Sequence, residues 1–292
     1  MINSKKLLFQ IKYSLAFSLI YTISLFPVSF IKMTFGKTFY FLTYQIFKYR
    51  YGVIIQNLSR ALPDKSYGEI KIIARNYYKH LSDITIEILK LCSIRQNQLE
   101  DRMKIQNPDL LQRYCSRNEN VIILLGHYGN WEYLNIVPAL LPGIKMNAIY
   151  KPLSSPVMEK IFCRVRSRFG MNLITVKEAP RYLIQQKNSA QLTFFISDQY
   201  PGKNAKHESN FMHQSTLTFT GAEKLAKFTN AVVLYAEISK SAENKWAVIF
   251  HPITEHAAET RIQEITSSFN KKLQSTIEEE PAYWLWSHKR WK

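Results

Sequence analysis

From Pro108 onward, short runs rich in β-branched and aromatic residues alternate with stretches of helical apolar spacing. That alternation limits the fold more than any other property of the sequence. The runs cover 121–125, 146–150, 172–175, 192–196, 231–237 and 246–250, and helices are predicted between them over 133–140, 156–169, 179–187, 221–228 and 260–279. Strands that alternate with helices predict an α/β fold, with a central, mainly parallel sheet flanked by helices. The stretch ahead of Pro108 is different. Over 66–92, apolar residues such as Ile70, Tyr77, Ile84 and Leu91 recur three and four positions apart, as in a long amphipathic packing helix. There is no internal repeat, low-complexity tract or Gly/Ser linker, so Asn107–Pro108 marks a change of character more than a domain boundary.

The chain begins with an uncharged apolar run over 13–31, behind the basic residues Lys5, Lys6 and Lys12. It is long enough to span or embed in a bilayer, and no small-x-small cleavage site follows it. Pro27 would kink a helix there. Over 35–50, Phe35, Phe39, Tyr40, Phe41 and Tyr44 mix with Lys37, Lys48 and Arg50, a composition suited to a lipid headgroup boundary. The expected organisation is a hydrophobic, basic membrane-anchoring segment over 1–50 and a catalytic domain over 51–292, of which 51–107 is a helical lead-in.

Thirty-nine Lys+Arg against 22 Asp+Glu give a net charge of +17, so anionic partners are expected: nucleic acid, an anionic membrane surface, or an acidic protein or substrate. Three cysteines, Cys92, Cys115 and Cys163, have neither disulfide-framework nor zinc spacing and read as small buried hydrophobes in a reducing compartment. The sequence contains no GxSxG, HExxH, GxxxxGK or GxGxxG pattern, which disfavours a serine hydrolase, a zincin, a P-loop enzyme or a Rossmann dehydrogenase.

Chemistry concentrates in Val121-Ile-Ile-Leu-Leu-Gly-His-Tyr-Gly-Asn-Trp-Glu132. A buried strand ends at Gly126 and delivers His127 to its carboxyl end, where ligand sites form in open α/β sheets. Gly126 and Gly129 permit a tight turn, Asn130 is a good N-cap, and a helix from Trp131 would put Glu132 in its first turn. From there Glu132 is expected to reach back to the imidazole, fixing its tautomer and stabilising the imidazolium of a general base. The spacing alone says little, because the composition supplies roughly 0.5 His-x4-acid pairs by chance. The setting at a glycine-flanked strand end gives it weight. Asp198 likewise follows an apolar strand, 192–196, where it serves either a site or a turn. Arg164, Arg166 and Arg168 lie two apart and fan over a broad helical arc, so one or two could face a phosphate while another is solvated.

Gly126-His-Tyr-Gly-Asn-Trp-Glu132 resembles the signature of bacterial lipid A late acyltransferases, within the larger glycerolipid acyltransferase superfamily. The likeness continues in order through Tyr150-Lys-Pro-Leu-Ser-Ser-Pro156, Arg164-Val-Arg-Ser-Arg-Phe-Gly170, Ser197-Asp-Gln199 with Pro201-Gly202, Thr220-Gly-Ala-Glu-Lys-Leu-Ala226 and Tyr283-Trp-Leu-Trp-Ser-His-Lys-Arg-Trp291. One departure falls at Phe211-Met-His-Gln-Ser-Thr216, where members of that family carry Phe-Phe-Gly, which bears on acyl-chain or acceptor choice. The resemblance implies a glycerolipid-acyltransferase-like fold with an N-terminal hydrophobic membrane helix, at the bacterial inner membrane with the site facing the cytoplasm. It implies acyl transfer from acyl carrier protein to a hydroxyl of a lipid A precursor, without cofactor or metal. His127 and Glu132 would be catalytic, and Asn130, Tyr150, Arg166, Arg168, Asp198 and Gln199 substrate-binding.

Within that frame another aminolipid or glycolipid acceptor competes with lipid A, and a thioesterase lies between classes. Outside it stands a non-catalytic basic module binding membrane or nucleic acid. The tail carries Trp284, Trp286 and Trp291 among His288, Lys289, Arg290 and Lys292, which fits interfacial anchoring, base stacking or plain core packing. No RNA-binding signature accompanies it, and nucleic acid is not an expected partner.

Overall fold

The structure is a computed structural model that describes residues 4–202, 205 and 207–291; Lys292 of the basic tail lies outside them. In chain order its elements are α1 (Ser4–Leu25), α2 (Val28–Ile31), α3 (Lys37–Tyr40), α4 (Tyr51–Ala61), α5 (Tyr67–Lys90), β1 (Met103–Ile105), α6 (Pro108–Ser116), β2 (Asn120–Leu125), α7 (Val137–Leu140), β3 (Met146–Tyr150), α8 (Pro156–Ser167), β4 (Asn172–Thr175), α9 (Ala179–Gln185), β5 (Gln191–Ile196), β6 (Glu208–Phe211), β7 (Gln214–Leu217), α10 (Gly221–Thr229), β8 (Val232–Ala242), β9 (Lys245–Thr254) and α11 (Glu264–Glu279).

Seven strands form one sheet in the order β1-β9-β8-β2-β5-β3-β4, and β6 and β7 form a separate hairpin. Within the large sheet only β8 and β9 run antiparallel; the other pairs are parallel. The α/β expectation holds, with a mostly parallel central sheet flanked by helices. The centre is β2, whose six residues are all buried because helices cover both faces, as a parallel sheet requires. Val121, Ile123 and Leu125 enter one core with Tyr114, Tyr133 and Val165, and Ile122 and Leu124 enter the other with Tyr77, Leu183 and Leu273. Each such side chain contributes roughly 1.5–3 kcal/mol by leaving water.

The long helix predicted over 66–92 is α5. Ser66 caps it, accepting from the Glu69 backbone while the Glu69 carboxylate takes the Ser66 N–H, and the apolar stripe spans both cores. The sequence reading missed β1, too short to show alternation, and the β6–β7 hairpin. That hairpin turns at Met212 and His213, both with positive φ, where glycine or asparagine is the usual signal.

At the front, α1 ends at Leu25 and helical structure resumes at Val28, so Pro27 breaks the run as expected. α1 is long and apolar enough to cross a membrane by length and composition. It also docks on the domain. Tyr13 and Ser24 are buried, Arg164 of α8 donates to the Tyr13 hydroxyl at 3.0 Å, and Lys90 of α5 donates to the Ser24 carbonyl at 2.7 Å.

Candidate active site

β2 and β5 are neighbours in parallel register, with Leu125 opposite Ile196, and the Ser197 N–H donates to the Leu125 carbonyl at 3.0 Å. Two residues beyond that pair, each strand has delivered a functional side chain to the same level: His127 from β2 and Asp198 from β5. Their contact is direct. Imidazole Nδ1 lies 2.6 Å from Asp198 Oδ1, and the His127 backbone N–H donates to Oδ2 at 2.8 Å. The Trp284 indole N–H donates to Oδ2 as well, also at 2.8 Å. Burial alone would raise the Asp198 carboxyl; the His127 charge and these hydrogen bonds outweigh it and hold the group below the ordinary carboxylate value.

Gly126 leaves room for α11 at this strand end: a Cβ there would sit 2.7 Å from Leu273 Cδ1 and force that side chain to shift. The turn is then clamped from the tail. Gly129 donates to the Tyr283 carbonyl at 3.0 Å, Leu285 donates to the His127 carbonyl at 3.1 Å, and Tyr128 pairs with Trp284 as a single antiparallel bridge. α4 and the residue before it hold that tail: Asn57 donates to the Trp286 and His288 carbonyls, each at 2.9 Å, and Arg50 donates to the Ser287 carbonyl at 2.8 Å.

The Trp131 helix exists, but as a 3-10 turn over Trp131–Ile136, and Asn130 does not cap it. Asn135 donates its amide to the Glu132 carbonyl at 2.9 Å, a side-chain bond that competes with regular helix formation. The Asn130 amide donates instead to Glu87 of α5 at 2.8 Å, and Asn130 is buried.

Glu132 does not reach the imidazole, contrary to the sequence expectation. Its carboxylate is gripped by Arg166 through two bonds, Nε to Oε2 at 2.9 Å and Nη2 to Oε1 at 2.5 Å, with Asn135 adding a third at 3.2 Å. The physical reason is the strand register: Asp198 already occupies Nδ1, while the helix carrying Glu132 turns it toward α8. The fork-to-fork pairing outweighs burial and raises the Arg166 guanidinium above its ordinary value.

Of the other expected residues, the structure brings Gln199 to the pair, its amide 3.3 Å from His127 Nε2. The three arginines fan out as their spacing requires. Arg164 stacks on Phe17 of α1, Arg166 meets Glu132, and Arg168 donates to the Leu91 carbonyl at 2.5 Å. Tyr150 stands at the carboxyl end of β3, but its hydroxyl contacts Cys163 rather than the His127–Asp198 pair. Trp284 and Trp286 are core residues, which removes the interfacial and base-stacking readings for them, and Arg290 is 1 % exposed and pushed down to about 10 by burial.

Two buried groups behind the turn escaped the sequence reading. Glu87 accepts from Asn130 and from the Trp246 indole at 2.9 Å, and His80 lies against Tyr283 and Trp246. Both sit on the apolar stripe of α5, three residues after Ile84 and Tyr77 respectively, and a polar residue on such a stripe was the available signal.

A protein-family model described as bacterial lipid A biosynthesis acyltransferase matches residues 1–292. The chain is 24 % identical over 237 residues to a protein named lipid A biosynthesis acyltransferase 2 from Shigella flexneri, covering 79 % of this chain and 74 % of that one. It is 22 % identical over 234 residues to a lipid A biosynthesis myristoyltransferase of Escherichia coli K12, covering 79 % and 71 %. A lipid A biosynthesis palmitoleoyltransferase of the same strain is 23 % identical over 247 residues, covering 84 % and 79 %.

Proposed function

The chain belongs to the bacterial lipid A biosynthesis acyltransferase family and is an acyltransferase; from that premise we propose that it moves a fatty acyl group from acyl carrier protein to a hydroxyl of a lipid A precursor. The observation that carries the mechanism is the doubly anchored His127–Asp198 contact at the carboxyl ends of β2 and β5. With Asp198 on Nδ1, the proton of the neutral ring is held there and Nε2 carries the basic lone pair, which the acceptor hydroxyl reaches by replacing the Gln199 amide contact. Nε2 takes the acceptor hydroxyl proton as that oxygen attacks the thioester carbon. The tetrahedral intermediate collapses with cleavage of the C–S bond, and the imidazolium returns its proton to the departing thiolate. Asp198 offsets the imidazolium charge throughout, and Gln199 marks the space beside Nε2 that the hydroxyl enters.

Glu132 acts through Arg166. Two of the guanidinium nitrogens are committed to the carboxylate, which leaves Nη1 to serve as a cationic donor for an acceptor phosphate. Surface chemistry supports a membrane placement. Sixteen of the 24 large apolar side chains that stand exposed among the described residues lie between Leu7 and Tyr49. No acidic residue precedes Asp64, whereas eight Lys and Arg do. An apolar, purely cationic front fits the inner leaflet of the bacterial inner membrane, with the active site on the cytoplasmic side where acyl carrier protein is available.

The test is product mass from the purified full-length chain given acyl carrier protein thioesters and phosphorylated glucosamine lipid acceptors. An added acyl mass on the lipid, lost in His127→Ala, is expected. Acylation only of another aminolipid or glycolipid would overturn the acceptor, acceptor-independent thioester hydrolysis would overturn transfer, and an active His127→Ala would overturn the base.

A further inference from the structure

Glu87 is a carboxylate with 1 % exposure in the last turn of α5, where the helix end itself disfavours a negative charge. Its Oε2 accepts from Asn130 Nδ2 at 2.8 Å and Trp246 Nε1 at 2.9 Å, and its Oε1 faces Lys32 Nζ at 3.4 Å. Lys32 is the cation that contacts Glu87 among the described residues, and it also bridges to Asp83 at 3.1 Å.

The two sides of this carboxylate belong to different parts of the molecule. Lys32 opens a π-helical turn, Lys32–Gly36, in the N-terminal segment. Its neighbours Phe30, Met33 and Phe35 are exposed, so the segment presents apolar groups outward and its lysine inward. Serine 82 of α5 fixes the end of that turn by donating to the Gly36 carbonyl at 2.7 Å. Asn130 and Trp246 are the backing of the catalytic turn. Asn130 Oδ1 has no partner among the described residues, so the bond to Glu87 is what anchors its side chain. Trp246 fills the space over Gly129, where a Cβ would come within 2.7 Å of the indole. Next along the chain, Trp131 packs edge-on against the His127 ring, with centroids 5.1 Å apart.

We infer that Glu87 is a positioning residue that ties the lipid-facing segment, through Lys32, to the turn carrying His127, through Asn130 and Trp246. Seating of that segment and placement of the base are thereby coupled, and an imidazole displaced by a fraction of an ångström loses turnover rather than binding. The inference rests on the reading of His127 as the base.

The experiment is a double-substitution cycle on the full-length chain, with acyl carrier protein thioester and the lipid acceptor of the wild-type assay, and kcat taken per folded enzyme. Lys32→Met is expected to lower kcat by at least about fivefold with the KM values changed by less than about twofold. Lys32→Arg, which keeps the ion pair, should recover most of that loss. Glu87→Gln should lower kcat comparably, and Lys32→Met/Glu87→Gln should be no slower than the slower single variant, because both act through one link. A Lys32→Met enzyme within about twofold of wild type overturns the inference, as do losses that multiply in the double variant. Where Glu87→Gln does not fold, Lys32→Met against Lys32→Arg decides alone. His127→Ala is measured beside them: activity retained there removes the underlying reading, whereas activity lost there with Lys32→Met at full speed overturns this coupling only.

Discussion

His127 and Asp198 are joined twice, ring to carboxylate at 2.6 Å and backbone N–H to the other carboxylate oxygen at 2.8 Å. A carboxylate fixed by two groups of its partner and by the Trp284 indole cannot swing away, so it sets both the tautomer and the orientation of the ring. Asp198→Asn keeps the shape but offers an amide where Nδ1–H needs an acceptor. The expected result is a fall in kcat of roughly 10²–10⁴-fold with little change in KM, measured as product formed per folded enzyme. Turnover within tenfold or so of wild type would remove Asp198 from the mechanism.

The Glu132–Arg166 pair makes a different prediction, in stability as well as rate. The Glu132 side chain is 7 % exposed and that of Arg166 20 %, so each charge depends on the other for compensation. Arg166→Met and Glu132→Gln should each destabilise the fold by roughly 2–3 kcal/mol, the partial exposure of Arg166 keeping the cost below that of a fully buried pair. The double variant should lose less than the sum. Denaturant midpoints of the four proteins check this, and strictly additive losses would mean that the pair is not a unit.

How far the site could be read in advance differs between these two pairs. His127 was visible because Gly126 and the apolar run before it mark a strand end within one stretch of sequence. Its partner was misassigned to Glu132 because sequence proximity was the available guide. Adjacency of β2 and β5 is a fact of strand order, which the sequence does not carry, and so Asp198 showed only as an acid at some strand's carboxyl end. Elements with strong periodicity were legible: β3 and β4 fall at the expected residues, and α8 and α11 within a few. β1 and the β6–β7 hairpin were not, since a three-residue strand has no period to read and the Met212–His213 turn lacks glycine. The family's Phe-Phe-Gly departure falls at this turn: Phe211 is buried against Trp284, while His213 takes up positive φ.

His80 gives a pH dependence with a definite sign. Burial, then the charge of Lys240, pushes its pKa down to about 3 from 6.5. Above pH 6.5 the ring is neutral folded and unfolded, and it contributes no slope. Below that, the unfolded chain binds a proton that the folded chain refuses, so stability falls by ~1.4 kcal/mol per pH unit until the folded group titrates near its own low value. Between pH 7 and pH 5 the wild type should therefore lose about 2 kcal/mol more than His80→Phe, which keeps an aromatic ring between Tyr283 and Trp246. Guanidinium unfolding at the two pH values measures it. Equal losses in the two proteins would mean that His80 does not resist protonation in the fold.

The N-terminal front is the last point at which structure and proposed function meet. Leu15 and Leu19 stand one helical turn apart on α1 and are 68 % and 64 % exposed, whereas Tyr13 on the same helix is buried against α8. Water is a poor environment for that face, and burying two leucines in a bilayer recovers on the order of 3 kcal/mol. Leu15→Glu/Leu19→Glu forfeits this and adds two negative charges that an anionic surface repels, while leaving the docked face of α1 intact. Partitioning onto vesicles containing phosphatidylglycerol should weaken by about a hundredfold or more, at 1.4 kcal/mol per decade. Phe228→Glu is the matched control. That residue is 65 % exposed on α10, outside the front, and its substitution should leave partitioning unchanged. If both proteins bind vesicles equally well, or both lose binding equally, the lipid-facing surface lies elsewhere.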